Sequence, residues 1–470
     1  MTEPAPPPPL LPATAPQRLP VQVPLTRVPL TIWQSFRIAR RNLLEIIPER
    51  ATEVPILSGR TGKRWHMVMD PGANRHILRD ALDNYPKSDV TKLILRPAIG
   101  DSLFVAEGAH WRWQRRTTAP VFSARNIASL GPVMTLAADR VSARLQASVG
   151  RAANLFQEMI TATFEVISDV TFSGDEGFDR DRVHNAIDAY IAETARVSLL
   201  DIIGAPVWIP RPSRLLATRA QKEMKRMADG VIVARSRTGP RPVPDLLDLM
   251  LDGIDPETQR RMTTAELRDN LLTFIVAGHE TTALALSWAL YLCAFDQDVQ
   301  ARARTEAQAV LGSRAATVAD IAALPYIRQI IDETLRLYPP AAFLSRTAQQ
   351  PDWLCDREIR PGDTVMLPIY ALHRNQLLWP DPNQFDPDRF ADPRSIDRFA
   401  YLPFGDGPRI CIGAGFALQE AVIILATLLA RFSFTPVAGR DPKPVLILTL
   451  RPEGGVWLCV TPARQNAPPR

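Results

Sequence analysis

The chain has only four cysteines in 470 residues, Cys293, Cys355, Cys411 and Cys459, and they stand far apart. No two have the spacing of a zinc cage or of a covalently attached c-type haem, and such sparse cysteine suits a reducing, intracellular compartment. Long apolar runs are missing too. Stretches such as 421–430 fall short of the 18 or more residues that a membrane span needs, so no membrane anchor is expected. The first residues lack the charged-then-apolar pattern of a signal peptide. There is no block of like charge, and a net charge of +5 is too diffuse to point to nucleic acid, although it suits an acidic partner. No internal repeat is visible. What remains is a soluble, cytoplasmic, globular chain, and 46% hydrophobic with 22% charged residues agrees with that.

Proline is in local excess, with nine in the first 24 residues. Such a segment is stiff and extended, and 1–24 is expected to be a flexible leader before a single domain over 25–470. Over 55–69, short apolar runs around Gly59 and Gly62, with Trp65, Met67 and Met69 alternating against more polar neighbours, predict a β-hairpin. Helical periodicity predicts helices over 131–149, 151–172, 180–196, 211–237 and 296–311. Strands return at 364–368 and, joined by the turn Pro452-Glu453-Gly454-Gly455, at 445–450 and 456–461. The expected fold class is mainly α with small β-sheets.

Four stretches carry residues that chemistry can use. In Trp111-Arg112-Trp113-Gln114-Arg115-Arg116, Trp111 and Arg115 are four apart and share a helix face, so an indole N–H and a guanidinium can reach one carboxylate. Read alone, it is more readily a solvated basic face anchored by tryptophan. The second stretch is a long helix from Thr263, where Thr263-Thr264-Ala265-Glu266 has capping-box form and an apolar pattern is interrupted by Ala277-Gly278-His279-Glu280-Thr281-Thr282. Ala277, Glu280 and Thr281 fall on one side, Gly278 leaves a gap beside the backbone, and an acid next to a hydroxyl can relay protons. A threonine bonded to an upstream carbonyl beside a glutamate in a buried ion pair explains the segment equally well. It is no zinc-protease motif, because position 283 is alanine.

The third stretch sets Glu333 and Arg336 three apart on a helix that Pro325 can start and Pro339-Pro340 must end. Apolar neighbours Ile330, Ile331, Leu335 and Leu337 predict a buried pair, and Arg389 in Phe385-Asp386-Pro387-Asp388-Arg389-Phe390 can offer Glu333 a second arginine. The fourth is Phe404-Gly405-Asp406-Gly407-Pro408-Arg409-Ile410-Cys411-Ile412-Gly413, a glycine-rich loop with one cysteine ahead of an apolar run over 416–429. A helix starting there would aim N–H groups at an anionic sulfur, though a free cysteine is more often a small buried hydrophobe. A nucleotide loop would need Gly-Lys-Ser/Thr, and a cysteine protease a histidine partner; neither is present locally.

Together and in this order the four resemble a cytochrome P-450, a haem-thiolate monooxygenase, over about residues 25–465. The loop 404–413 looks like the family's FxxGxRxCxG signature, 277–282 like its (A/G)GxxTT segment, 333–336 like its ExxR pair, 388–390 like its PERF-like segment with Asp388 in place of glutamate, and 111–115 like its WxxxR helix. The resemblance implies the cytochrome P-450 fold and haem b, with Cys411 as axial ligand of the iron. It implies Trp111, Arg115, Arg346 and Arg409 on the haem propionates, Ala277 packed over the haem, Phe404 shielding the thiolate and Gly413 completing the loop. Glu280 and Thr281 would deliver protons to dioxygen, and Glu333, Arg336 and Arg389 would brace the cysteine loop.

The function so implied is insertion of one atom of O2 into a lipophilic small molecule, with electrons from NAD(P)H through a ferredoxin or flavodoxin and its reductase, docking on the cysteine side where Arg112, Arg116 and Arg409 can help. By the same likeness the pocket would draw on 93–105, 196–212, 273–281, 341–344 and the turn near Gly454, segments that include Leu95, Phe104, Phe274, Phe343 and Leu344. Two alternatives stand beside it: a peroxide-driven peroxygenase, which needs no donor and no Glu280–Thr281 relay, and a non-catalytic protein that binds haem or a lipophile.

Overall fold

The computed structural model describes residues 19–172 and 218–463. The first 18 residues of the proline-rich leader, the helix expected over 180–196, the start of the one expected over 211–237, and the 196–212 part of the expected pocket lie outside the described residues. The longer helices are α1 (Ile32–Ala39), α2 (Asp89–Ile99), α3 (Gly108–Thr118), α4 (Gly131–Gln146), α5 (Leu155–Phe172), α6 (Thr218–Thr238), α7 (Thr264–Phe295), α8 (Gln297–Leu311), α9 (Pro325–Leu337) and α10 (Ala414–Arg431).

Helix α7 is the axis of the packing, in contact with α5, α6, α8, α9 and α10. Its start follows from the capping box: the Glu266 N–H donates to Thr263 Oγ1 (3.3 Å) and the Thr263 N–H to Glu266 Oε2 (2.9 Å). Helix α9 starts at Pro325, and Glu306 of α8 accepts the orphan N–H groups of Tyr326 and Ile327 at 2.9 Å each. Helix α10 has a mean hydropathy of 1.5 over 18 residues, enough by length and composition to cross a membrane, yet most of it is buried against α4, α7 and α8. Its apolarity is that of a core helix enclosed on all sides.

The predicted hairpin forms as β1 (Ile56–Thr61) and β2 (Lys63–Val68), turning at Gly62 with φ 78°. A short strand, β3 (Ala152–Asn154), precedes α5; β4 (Leu344–Thr347) and β7 (Thr364–Leu367) complete a four-stranded sheet of order β1-β2-β7-β4, and β5 (Asp352–Leu354) and β6 (Arg357–Ile359) pair with each other. The last strands are β8 (Phe432–Pro436), β9 (Lys443–Leu446), β10 (Leu450–Glu453) and β11 (Trp457–Pro462).

Two expectations are corrected here. Residues 152–154 are strand, not helix, because they pair with β11 at Trp457↔Asn154 and Cys459↔Ala152. The hairpin expected across Pro452–Gly455 does not form. Instead β10 folds back on β9, burying Leu446 and Leu450, while Gly454 (φ 85°) and Gly455 (φ 81°) hand the chain to another sheet, where β11 pairs with β8. Alternation marks a strand but does not choose its partner. Ahead of α1, the Val21 and Val23 N–H groups donate to Tyr291 and Tyr370 hydroxyls, and Tyr338 donates to the Val21 carbonyl at 2.7 Å, so this end of the leader is docked on the core.

Candidate active site

A cavity of about 1330 Å³ lies between α7 and the cysteine loop. The loop reaches it by a tight path: Gly405 and Gly407 have φ of 66° and 73°, and a Cβ on Gly407 would stand 2.3 Å from the Leu78 carbonyl oxygen. Its end is fixed by the Cys411 N–H, which donates to the Phe404 carbonyl at 2.9 Å. Cys411, Phe404 and Gly413 all line the cavity, Gly413 as N-cap of α10. Cys411 lines this cavity, and enclosure by protein pushes its thiol above the ordinary range, against opposing pulls from the Gly413 N–H and from Arg115. A thiol held so is neutral until a metal takes its proton's place.

Among the cations that line this cavity, four belong to its cysteine-loop end. Arg346 of β4 is buried; its Nη1 donates to the Ser345 carbonyl at 3.0 Å, its Nε has no partner among the described residues, and burial pulls it down to about 10. Arg409 is held by both oxygens of Glu107, lies 5.0 Å over the Trp111 ring, and also leaves its Nε without a partner. Arg115, on α3 four residues after buried Trp111, is lowered by desolvation. The fourth is Lys87, absent from the sequence reading. Its Nζ donates to the Leu103 and Ala106 carbonyls (3.1 and 3.3 Å), and burial draws it down to about 7 while Glu107 opposes. Lys87, Arg346 and Arg409 act on one another with Glu107 as the acid among them, Arg115 acts on Cys411, and the two guanidinium Nε atoms unpaired among the described residues call for a ligand bearing more than one carboxylate. The residues therefore fit haem, with its two propionates and an iron for Cys411.

Across the cavity, Ala277, Gly278, Glu280 and Thr281 line the wall given by α7. Both plain explanations of this segment are realised: Thr281 Oγ1 donates to the Ala277 carbonyl at 2.7 Å, and Glu280, 2% exposed, is ion-paired with Arg451 of β10. Neither removes the residues from the cavity. The gap at Gly278 is filled by Ile167 of α5, whose Cδ1 would lie 3.1 Å from an added Cβ. Next to this wall, Thr282 hydrogen-bonds Glu420 of α10, a fully enclosed carboxyl that burial pushes well above its ordinary pKa.

Glu333, Arg336 and Arg389 are brought together. Arg336 Nε and Nη2 meet Glu333 Oε2 and Oε1 at 2.6 and 2.7 Å, both side chains fully buried, and Arg389 Nε stands 3.5 Å from Glu333, an ion contact rather than a hydrogen bond. Arg336 also donates to the His373, Pro382 and Gln384 carbonyls. His373 carries the connection onward: its Nε2 accepts the Leu402 N–H (2.9 Å), so Nδ1 bears the proton and donates to the Arg336 carbonyl (3.1 Å). Leu402 is two residues before Phe404.

The apolar lining includes Leu95, Phe104, Phe274, Phe343 and Leu344, with 446–449 in place of the turn near Gly454. The arginines offered for docking all have acids of their own: Arg112 holds Asp83, Arg116 holds Asp255 and Glu257, and Arg409 holds Glu107.

A family model described as Cytochrome P450 matches residues 32–460. "Putative cytochrome P450 132" of Mycobacterium tuberculosis is 32% identical over 418 residues, 84% of this chain and 87% of that protein. "Cyclooctat-9-en-7-ol 5-monooxygenase" of Streptomyces melanosporofaciens is 32% identical over 348 residues, 73% of this chain and 75% of its own length. Among solved structures, the cytochrome P450DA heme domain superposes with a TM-score of 0.77 at 28% identity, covering 87% of this chain and 90% of that one.

Proposed function

Since the chain belongs to the cytochrome P450 family and is a cytochrome P450 monooxygenase, we propose that it hydroxylates or epoxidises a lipophilic small molecule at a haem b bound to Cys411, with electrons from NAD(P)H through a separate redox partner of ferredoxin or flavodoxin type. Haem with a thiolate ligand supplies electron density that favours O–O cleavage, so that one oxygen atom passes to substrate. The chain's residues do the rest. Cys411 gives its sulfur to the iron, and Phe404 keeps water from that sulfur. Arg115, Arg346, Arg409 and Lys87, with the Trp111 indole N–H, take the propionates, and Glu107 then shares Arg409 with them.

On the other wall, Thr281 Oγ1, whose own hydrogen goes to the Ala277 carbonyl, has lone pairs left to accept a hydrogen bond, and the Glu280 carboxylate, held by Arg451, would take protons from water and pass them on toward the cavity. Ala277 leaves a small surface against which haem and substrate can lie. Substrate is bound by Leu95, Phe104, Phe274, Phe343 and Leu344, which offer apolar area and no charge. A relative named for oxidising cyclooctat-9-en-7-ol agrees with a lipophilic substrate class. All four cysteines are free, as a reducing cytoplasm would keep them.

The observation that carries the reading is Cys411 facing a cavity that also holds four cations and the Glu280–Thr281 pair. The test is Cys411→Ser: the protein keeps its far-UV circular dichroism but loses the thiolate-type spectrum of its reduced carbon monoxide complex. A retained spectrum would remove Cys411 as ligand, and full turnover on hydrogen peroxide with none on a ferredoxin system would make the enzyme a peroxygenase.

A further inference from the structure

The acid that begins α3 does not cap it. Glu107 is the N-cap and its carbonyl accepts the Trp111 N–H at 3.2 Å, yet its carboxylate makes no hydrogen bond to the first turn, the ordinary use of a side chain at that position. It turns to two other parts of the chain. Oε1 accepts the backbone N–H of Lys87 at 2.7 Å and Arg409 Nη1 at 3.3 Å, and Oε2 accepts Arg409 Nη2. Lys87 in turn forms an isolated antiparallel bridge with Arg346. One carboxylate therefore joins the start of α3, the loop before α2 and the cysteine loop, next to the strand that carries Arg346.

Glu107 is not among the residues that line the cavity, so it reaches a bound group only through others. Its charge acts on Lys87, Arg346 and Arg409 alike. The acids that line the cavity near these cations have partners elsewhere: Asp406 is held by Arg398, and Asp89 lies 3.8 Å from Lys92. The Arg409 side chain is 6% exposed and that of Glu107 23%, so water and salt screen the pair only in part.

We propose that Glu107 is a positioning residue of the haem site, whose carboxylate fixes Arg409 in place and whose charge keeps the haem harder to reduce. This rests on the haem reading above. Addition of an electron near a fixed negative charge is disfavoured, and that charge here offsets part of the positive potential that Lys87, Arg346 and Arg409 set up around the propionates. Without Glu107 the same three cations would act on the haem in full, and the reduced state would be favoured. The place of the acid, behind the arginine rather than in the cavity, lets it tune the electron step without occupying the space of the ligand.

The test is potentiometry of the haem-loaded full chain. Glu107→Gln, of the same size without the charge, should move the one-electron reduction equilibrium about tenfold toward the reduced form, or about 59 mV. Glu107→Asp keeps the charge on a stem one methylene shorter and should stay within about threefold of wild type. Lys87→Gln, which removes a cation that Glu107 opposes, should shift the equilibrium the other way, and this sign can be read even where Glu107→Gln loses haem. A role of shape alone would displace the shorter Glu107→Asp at least as far as Glu107→Gln. That result, a Glu107→Gln equilibrium within about twofold of wild type, or shifts of one sign in Glu107→Gln and Lys87→Gln overturns the proposal. A wild type that takes up haem without the thiolate-type spectrum of its reduced carbon monoxide complex would refute the haem reading instead, so the two failures are distinguishable.

Discussion

Arg451 of β10 holds the carboxylate of Glu280, 171 positions earlier in the chain, in an ion pair whose acid is 2% exposed and whose base is 33% exposed. Arg451→Met would leave that carboxylate enclosed without a partner. The cost of breaking a buried pair is about 3–5 kcal/mol, and partial solvation of Arg451 reduces it to roughly 1–3 kcal/mol. Urea unfolding should show this loss, and Glu280→Gln in the same chain should restore part of it. Additive losses in the double variant would mean that the two groups do not act as a pair.

Arg336 spends its guanidinium on Glu333 and on three backbone carbonyls of the segment that follows α9. An ammonium cannot supply those directions, so Arg336→Lys is expected to cost at least about 3 kcal/mol and to lower haem retention, although no atom of Arg336 lines the cavity. Stability within about 1 kcal/mol of wild type would show that the pair is not the brace of the cysteine loop.

How much of this was readable in advance depended on whether partners lie close in sequence. The Thr263–Glu266 capping box and the Glu333–Arg336 pair are three-residue relationships, and the structure contains both. Arg451, Lys87, Glu107 and His373 carry no such local pattern. Their roles come from where β10, the loop before α2, the loop before α3 and the segment after β7 are brought in space. The same limit explains 445–450, which reads as one strand but divides between the end of β9 and the start of β10, while Pro452 and Glu453, read as turn, pair with β9. Arg112, Arg116 and Arg409 show the reverse case: as sequence they are free positive charge, and in the fold each has an acid.

His373 is fully buried between Arg336 and Leu402, and burial, helped by the Arg336 charge, lowers its pKa from 6.5 to about 3. The unfolded chain therefore takes up a proton that the folded one refuses. The stability that His373 contributes is complete above about pH 6.5 and is lost as pH falls toward 3, at about 1.4 kcal/mol per unit. Between pH 7 and pH 5 the advantage of wild type over His373→Gln, which can make similar hydrogen bonds but does not titrate, should shrink by about 2 kcal/mol. An advantage that stays constant over that interval would mean that His373 is not the buried neutral group its contacts require.

Glu420 titrates in the opposite sense. Its Oε1 has no hydrogen-bond partner among the described residues, Thr282 hydrogen-bonds the carboxyl, and enclosure in the protein pushes it well above its ordinary value of 4.5. The folded protein holds this proton to a higher pH than the unfolded chain does. The contribution of this group is thus complete below about pH 4.5 and is lost as pH rises toward the folded-state pKa. Glutamine has the same shape and nothing to ionise, so Glu420→Gln should gain on wild type as pH rises above 4.5, by at most about 1.4 kcal/mol per pH unit, seen as diverging denaturation midpoints. Parallel midpoints would mean that water reaches the carboxyl and that it is ionised in the native state. In that case Thr282 would link the cavity to a charged group, and not to a neutral one.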